Sequence, residues 1–395
     1  MRGKAFFELL DECVTDGSIE FVVAGESRRV GQKDGPPEVV VEVSDDRFLD
    51  QVLSYGNLAL GEAFMRGDFG VRSGDVAGFI GVLLRNHLDD ALRQRLGLAM
   101  ALKMAAIRLT NRLRGPVGNV HKHFDVGNDL YEAFLDSSLA YTCGYEAGDG
   151  HSSLEELQQQ KYHRICTKLQ LAPGDRLADL GCGFGGLLIY AAEHHGITGK
   201  GFTISKKQAE KAAERIAAKG LGDRIRVEYA SYATLTGTWD KIVSVGMMEH
   251  LRDDEYPGCV RLIARSLTPQ GRGLLHFIGY NGPKNHSDPF VQKHIFPGAQ
   301  WPKLSLLVGQ LELASLGILD VENLVRHYNL TLRAWLAKFR AAYPGLDHTR
   351  YPETFRRLWE YYLGCSVAAT LYSQVALYQI LFTKDYAAPI PYQRV

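Results

Sequence analysis

The 395-residue chain is 46% hydrophobic and 23% charged, enough for two domains with a sizeable buried core, which excludes disordered and fibrous classes. Forty-five basic residues balance forty-five acidic ones, so the overall field gives no reason to expect a nucleic-acid partner. Six cysteines (Cys13, Cys143, Cys166, Cys182, Cys259 and Cys365) lie far apart with no Cys-x-x-Cys pair, which points to a reduced, intracellular chain and leaves no metal site expected.

The first residues meet acid at Glu8 and lack an apolar stretch followed by small residues, so no secretory leader is expected. Phe21-Val22-Val23 and Val39 to Val43 are β-branched runs between turn residues, and Asp46 to Ser54 has helical spacing. Residues 1–90 therefore read as a small α+β domain. Residues 91–117 follow as a basic amphipathic helix or linker: Arg93 to Arg114 holds six basic residues and no acid, with Leu92, Leu96, Met100, Met104 and Ile107 at helical spacing. That helix suits either packing between domains, the reading favoured here, or an anionic bilayer surface.

After residue 160 strand and helix patterns alternate: Arg176 to Asp179, the helix after Gly185, Gly199 to Ile204, Lys206 to Lys219, Arg226 to Tyr229 and Lys241 to Val245. This rhythm predicts a parallel sheet covered on both faces. The uncharged run from Cys365 to Phe382 is interrupted by Ser366, Thr370, Ser373, Gln374 and Gln379, so it is read as a buried C-terminal helix rather than a membrane span.

The sharpest local signal is Leu177 to Gly186, an apolar strand running into a glycine-rich turn and then the helix Leu187 to His194. Gly181, Gly183 and Gly185 allow a nucleotide-like ligand to approach the backbone, although a plain strand–helix turn has the same pattern. Asp179 ahead of Gly181-Cys182-Gly183 resembles motif I of class I S-adenosylmethionine methyltransferases. A NAD site would carry its acid at the end of the second strand, where this chain has Gly201-Phe202-Thr203-Ile204-Ser205. There the Thr203 hydroxyl and the Gln208 amide offer hydrogen bonds instead. The third strand ends at Glu228-Tyr229-Ala230-Ser231-Tyr232, which supplies an aromatic ring for an adenine.

Four distant segments carry polar residues where apolar runs end: Tyr141-Thr142-Cys143, Met247-Met248-Glu249-His250, Leu274 to Gly279 around His276, and His327-Tyr328. With His123 to Asn128, the Gly201 to Ser205 segment, His294-Ile295-Phe296-Pro297-Gly298, Thr331 to Trp335 and Gly56 to Ala63, they resemble the cyclopropane-fatty-acyl-phospholipid synthase family. The resemblance implies a Rossmann-like class I methyltransferase domain with a mostly parallel sheet over residues 118–395, including an acyl-chain pocket. It further implies transfer of a methyl group from S-adenosylmethionine to the cis double bond of an unsaturated phospholipid acyl chain, leaving S-adenosylhomocysteine.

In that family a bound bicarbonate or carbonate ion removes a proton to close the cyclopropane ring, and its ligands fall here on Cys143, Glu249, His276, the backbone of Ile278 and Tyr328. Donor contacts fall on Tyr141, Thr142, Asp179, Gly181, Gly183, Gly185, Thr203, Gln208, Ser231, Tyr232 and Ala233. Taken singly, Cys143 reads as a small hydrophobe, His276 as a core histidine and Tyr328 as a packing residue; their joint context carries the functional reading. Ser231 stands where many relatives have Asp or Gly, and Thr370-Leu371 where a Phe-Arg pair is common. The resemblance also implies a cytoplasmic protein at the inner face of the membrane, compatible with a homodimer. Two alternatives stay open: the same fold and donor with a methyl-branched or methylene product, and a non-catalytic lipid-binding protein.

Overall fold

The computed structural model describes residues 3–95, 102, 105–106, 109–110, 127–282 and 288–388. The basic stretch from Arg93 onward and the His123 to Val126 motif lie almost wholly outside them; of the apolar stripe only Leu92 is described, and it is buried.

Two compact units are present, Met1–Gly115 with His286–Gly298 and Trp335–Gln374, and Pro116–Asn285 with Ala299–Ala334 and Val375–Val395. The first holds a four-stranded sheet in the order β2-β1-β3-β4, with β1 at Ser18–Val23, β2 at Glu26–Gly31, β3 at Val39–Val43 and β4 at Phe69–Ser73. Strands β1 and β2 form a hairpin through Ala24 and Gly25, both at positive φ (51° and 83°), the turn whose twist suits a two-residue connection. Phe6, Phe7, Phe21, Phe48, Phe69 and Phe79 are buried against this sheet, and each buried ring contributes about 1.5–3 kcal/mol. The Glu353–Tyr372 helix comes close to the Val76–Arg85 helix because Gly364 has no side chain: a Cβ there would lie 2.8 Å from a Val76 methyl.

The Asp288–Gly298 segment is tied to the Asn57–Arg66 helix of the same unit by polar contacts. Asn57 donates to Asp288 at 2.8 Å and accepts from Tyr361 at 2.6 Å. Glu62 accepts from His294 at 3.0 Å and pairs with Lys293; His294 first and Lys293 next hold its carboxyl down at about 2.

The second unit is a seven-stranded sheet in the order β10-β11-β9-β8-β5-β6-β7. Its strands are β5 at Arg176–Leu180, β6 at Thr198–Thr203, β7 at Ile225–Tyr229, β8 at Trp239–Val245, β9 at Leu267–Tyr280, β10 at Gly317–Asn323 and β11 at Val375–Thr383. From β7 to β9 neighbours run parallel, and β11 runs antiparallel between β9 and β10. The expected α/β class, with a mostly parallel sheet and a smaller α+β region before it, is the class observed.

The Cys365 to Phe382 run is corrected. The helix stops at Tyr372, exposed Ser373 and Gln374 break it, and the remainder is β11. A strand buried on both faces reads as an unbroken apolar run without a period of two, which is why spacing does not separate it from a buried helix. No helix among the described residues is long and apolar enough to cross a membrane.

The chain leaves β5 for β6 and β7 on one side, then returns to place β8 on the other. Between the carboxyl ends of β5 and β8 lies the switch point where open α/β sheets bind ligands.

Candidate active site

The glycine turn leaves β5 with Gly181, Gly183 and Gly185 at φ of 86°, 55° and 76°, left-handed conformations that explain the residue choice. The N–H groups of Gly181 and Cys182 both donate to the Phe202 carbonyl at 3.0 Å, pinning the turn to the end of β6. The glycines have different neighbours. A Cβ on Gly181 would meet Met247 at 2.8 Å, whereas one on Gly183 would meet nothing within 4 Å. The turn is backed by protein at Gly181 and open at Gly183, the shape a nucleoside donor needs.

On β6 Thr203 donates through Oγ1 to Gln208 Oε1 at 2.7 Å and accepts from the Ser205 N–H at 3.2 Å, which fixes the orientation of the Gln208 amide. Ser231 spends its hydroxyl locally, accepting from the Ala233 N–H at 3.3 Å to start the short turn Tyr232–Thr234. Its position is that of a cap, with the hydroxyl committed to the turn. Tyr232 is half-buried, and burial, aided by Cys259, pushes its phenol up. Asp179 is buried, its Oδ1 has no partner among the described residues, and burial pushes its carboxyl up to about 7 against the opposing pull of Lys161.

Tyr141 packs against Tyr131 and Phe134 at ring-centroid distances of 5.4 and 5.9 Å. Next to it, Thr142 is held from two sides by one helix, Leu154–Leu169. Its carbonyl accepts from Gln158 Nε2 at 2.9 Å and its hydroxyl accepts from Lys161 Nζ at 2.8 Å. Cys143 donates through Sγ to the Gly144 carbonyl at 2.9 Å and lies 3.9 Å from the Leu324 carbonyl. That same carbonyl accepts the Tyr328 N–H at 3.1 Å, so Cys143 and Tyr328 meet at Leu324. Burial pushes the Cys143 thiol far up, and it stays protonated.

The remaining groups are His276 and Ile278 on β9 and Glu249 in the short Met248–His250 turn that follows β8. Glu249 Oε1 accepts the Ile278 N–H at 2.6 Å, while Oε2 has no partner among the described residues. Burial pushes this carboxyl up to about 7, opposed by the Ile278 N–H. His276 faces Gln379 across the β9–β11 pair, Nε2 of the amide lying 3.1 Å from ring Nδ1, and ring Nε2 has no partner among the described residues. Burial first, then the Lys161 and Lys168 charges, push the imidazole well below its ordinary value. Leu377 connects both groups, pairing in register with Ile278 and accepting the Leu324 N–H at 2.7 Å.

Thus the backbone links the five anion-site candidates in two sets: Cys143 and the Tyr328 N–H share the Leu324 carbonyl, and Glu249 binds Ile278, two residues after His276 on β9. Ile278 is the member whose N–H is already engaged. Three polar residues that sequence reasoning passed over sit among them: Gln158, Lys161 and Gln379, all buried. A signal existed. Gln158 and Lys161 fall on the helix face that otherwise carries Leu154, Leu157, Ile165 and Leu169, and a polar pair inside an apolar stripe is unusual.

Residues 111–380 match the family model described as mycolic acid cyclopropane synthetase. Over 348 residues the chain is 34% identical to the cyclopropane-fatty-acyl-phospholipid synthase of Escherichia coli strain K12, covering 87% of each. A probable fatty acid methyltransferase of Pseudomonas putida is 30% identical over 368 residues, covering 89% of each. Among solved structures, the mycolic acid cyclopropane synthase CmaA1 complexed with SAH and CTAB aligns with a TM-score of 0.63 and 28% identity, over 68% of this chain and 98% of that one. A motif-bearing glycine turn at the sheet's switch point and a family match across two thirds of the chain converge: this protein belongs to the mycolic acid cyclopropane synthetase family and is an S-adenosylmethionine-dependent methyltransferase of the cyclopropane-fatty-acyl-phospholipid synthase type.

Proposed function

We propose that the protein adds a methylene bridge across the cis double bond of an unsaturated phospholipid acyl chain, with bicarbonate as the base. S-adenosylmethionine supplies an electrophilic methyl group when bound, and Gly181 to Gly185, Thr203, Gln208 and Tyr232 would hold it. An alkene is a weak nucleophile, so rate comes from fixing it beside the donor in a dry hollow. Attack of the alkene on that methyl group breaks its bond to sulfur, releases S-adenosylhomocysteine and leaves a cation on the adjacent carbon; loss of one proton from the new methyl closes the ring, and a bicarbonate held by Cys143, Glu249, His276 and Tyr328 would supply the base that takes it.

The observation that supports this reading is two buried atoms with no partner among the described residues: Glu249 Oε2, whose sister oxygen accepts the Ile278 N–H, and His276 Nε2, two residues before Ile278 on β9. A neutral His276 donates through Nε2 when Nδ1 accepts from Gln379, a protonated Glu249 donates through its carboxyl, and Cys143 keeps its proton. Neutral donors of this kind suit a small anion while leaving its charge to stabilise the neighbouring cation.

The test is expression in a bacterial host that makes cis-unsaturated phospholipids but no cyclopropane lipids, followed by gas chromatography and mass spectrometry of its fatty acids. One added CH2 per chain, co-eluting with a cyclopropane standard and lost in Glu249→Gln and His276→Ala, is expected; an unchanged profile overturns the reading. A methyl-branched or methylene chain would move the step after methyl attack to a different outcome of the cation. The substrate's place in a bilayer supports peripheral association through the basic stretch Arg93 to Arg114. Sedimentation with anionic liposomes, unchanged when those basic residues become glutamine, would remove that stretch from the account.

A further inference from the structure

A threonine inside a helix commonly donates to the carbonyl four residues back, and Thr331 in the Val325–Ala342 helix does so, giving its hydroxyl proton to the His327 carbonyl at 3.0 Å. Less commonly, the same buried oxygen also accepts from another segment, taking the Gly144 N–H at 3.0 Å. That N–H belongs to the peptide group joining Cys143 to Gly144, and that carbonyl to the one joining His327 to Tyr328. A single hydroxyl therefore bridges the two peptide groups that adjoin Cys143 and Tyr328. Further along the same segment, His327 accepts the Glu146 N–H through Nδ1 at 2.9 Å and stacks on Tyr145 with ring centroids 4.5 Å apart.

On its other side this segment lies close against the Leu154–Leu169 helix: the Tyr145 N–H donates to the Leu157 carbonyl at 2.8 Å, and a Cβ on Gly144 would lie 2.7 Å from Leu157 Cβ. Backbone and a glycine hold it to one helix, and two side chains tie it to the other. We propose that Thr331 and His327 are positioning residues that clamp the segment bearing Cys143 onto the helix bearing Tyr328, and so set the spacing of two contacts to one small anion. A hydroxyl that both donates and accepts has one orientation, so the spacing is fixed before any anion arrives. The inference rests on the reading of Cys143 and Tyr328 as bicarbonate contacts, and it deepens that reading by naming what aligns them.

The experiment follows S-adenosylhomocysteine release by the full chain on vesicles of cis-unsaturated phospholipid, in buffer freed of carbon dioxide and then titrated with bicarbonate. Calorimetric titration with S-adenosylhomocysteine runs beside it and certifies the fold of each variant. Thr331→Val keeps the shape and removes the bridge. The bicarbonate concentration for half-maximal turnover should rise about tenfold, the size of one buried hydrogen bond, while S-adenosylhomocysteine affinity stays within about twofold of wild type. Thr331→Ser, which keeps the hydroxyl, should return the half-saturating concentration to within about threefold of wild type. His327→Leu should behave like Thr331→Val, and His327→Asn, whose side-chain oxygen can accept where Nδ1 does, should behave like wild type; this pair decides the matter if the valine variant does not fold. Unchanged half-saturation in Thr331→Val and His327→Leu would overturn the proposal, as would rescue by neither serine nor asparagine. Bicarbonate and S-adenosylhomocysteine affinities that fall together would also overturn it, in favour of a merely structural tie. Wild type whose turnover ignores added bicarbonate overturns the anion reading beneath it.

Discussion

Gln379 presents its amide Nε2 to Nδ1 of His276 at 3.1 Å, directly across the register of the β11–β9 pair, and both side chains are buried. A donor at Nδ1 leaves the ring proton on Nε2, the atom without a partner among the described residues. With the amide in this orientation, two strands that are distant in sequence favour the Nε2–H tautomer. Gln379→Leu should lower kcat about tenfold, the cost of one buried hydrogen bond, and leave S-adenosylhomocysteine affinity unchanged. Steady-state kinetics with unsaturated liposomes and ¹⁵N spectra of the histidine rings check both halves; a variant with wild-type kcat and one fixed tautomer would remove Gln379 from the chemistry.

Glu249 makes stability depend on pH in a stated direction. Burial holds the native carboxyl at about 7 against 4.5 in the unfolded chain. Between those values the native state keeps a proton that the unfolded chain has lost. Its contribution to stability therefore falls as pH rises from 4.5 to 7 and levels off above, a loss of about 3 kcal/mol. Asp179 acts with the same sign from 3.8 to about 7. Glu249→Gln removes one of the two, and its amide still accepts the Ile278 N–H. The melting temperature of this variant relative to wild type should be higher at pH 8 than at pH 5. An equal difference at both pH values would show a carboxyl that titrates normally.

The glycine turn separates stability from binding. Gly181→Ala meets Met247 at 2.8 Å and keeps a φ of 86°, so strain and overpacking together should destabilise the fold by about 3 kcal/mol. Gly183→Ala meets no protein atom within 4 Å and bears only the left-handed penalty, about 1 kcal/mol, yet its methyl enters the open side of the turn. Denaturant unfolding should rank Gly181→Ala as the less stable, and titration with S-adenosylhomocysteine should rank Gly183→Ala as the weaker binder among folded variants. The reverse order in titration would place the donor elsewhere.

Much of this fold was legible because its signals are local. Glycines at positive φ, β-branched strands and the Asp179 position all declare themselves within a few residues. The β11 strand did not, since burial on both faces erases the alternation that identifies a strand. Gln379 was legible only as an interruption of an apolar run, because its partner His276 lies 103 residues away. Lys161 is hidden by a different cause: a buried cation looks in sequence like any solvated lysine, and only the fold reveals its burial and the Asp136 and Asp179 charges that act on it. Ile278 was assigned to an anion through its backbone, which no side chain encodes, and the N–H turns out to be engaged by Glu249.

Cys143 tests whether the hollow works by hydrogen bonding or by reactivity. Its Sγ donates to the Gly144 carbonyl at 2.9 Å beside the Leu324 carbonyl that also fixes Tyr328, and burial keeps the thiol protonated. A nucleophilic cysteine needs a thiolate and access, and this site has neither. Serine preserves a donor on the same backbone, so Cys143→Ser should keep the wild-type circular dichroism spectrum and retain turnover at reduced rate, while Cys143→Ala, with no donor, should fall about tenfold below the serine variant. Thiol titration of native protein should leave Cys143 unreacted while the partly exposed Cys13 and Cys365 react. Alanine matching serine in rate would reduce Cys143 to packing, and complete loss of structure in the serine variant would lead to the same conclusion.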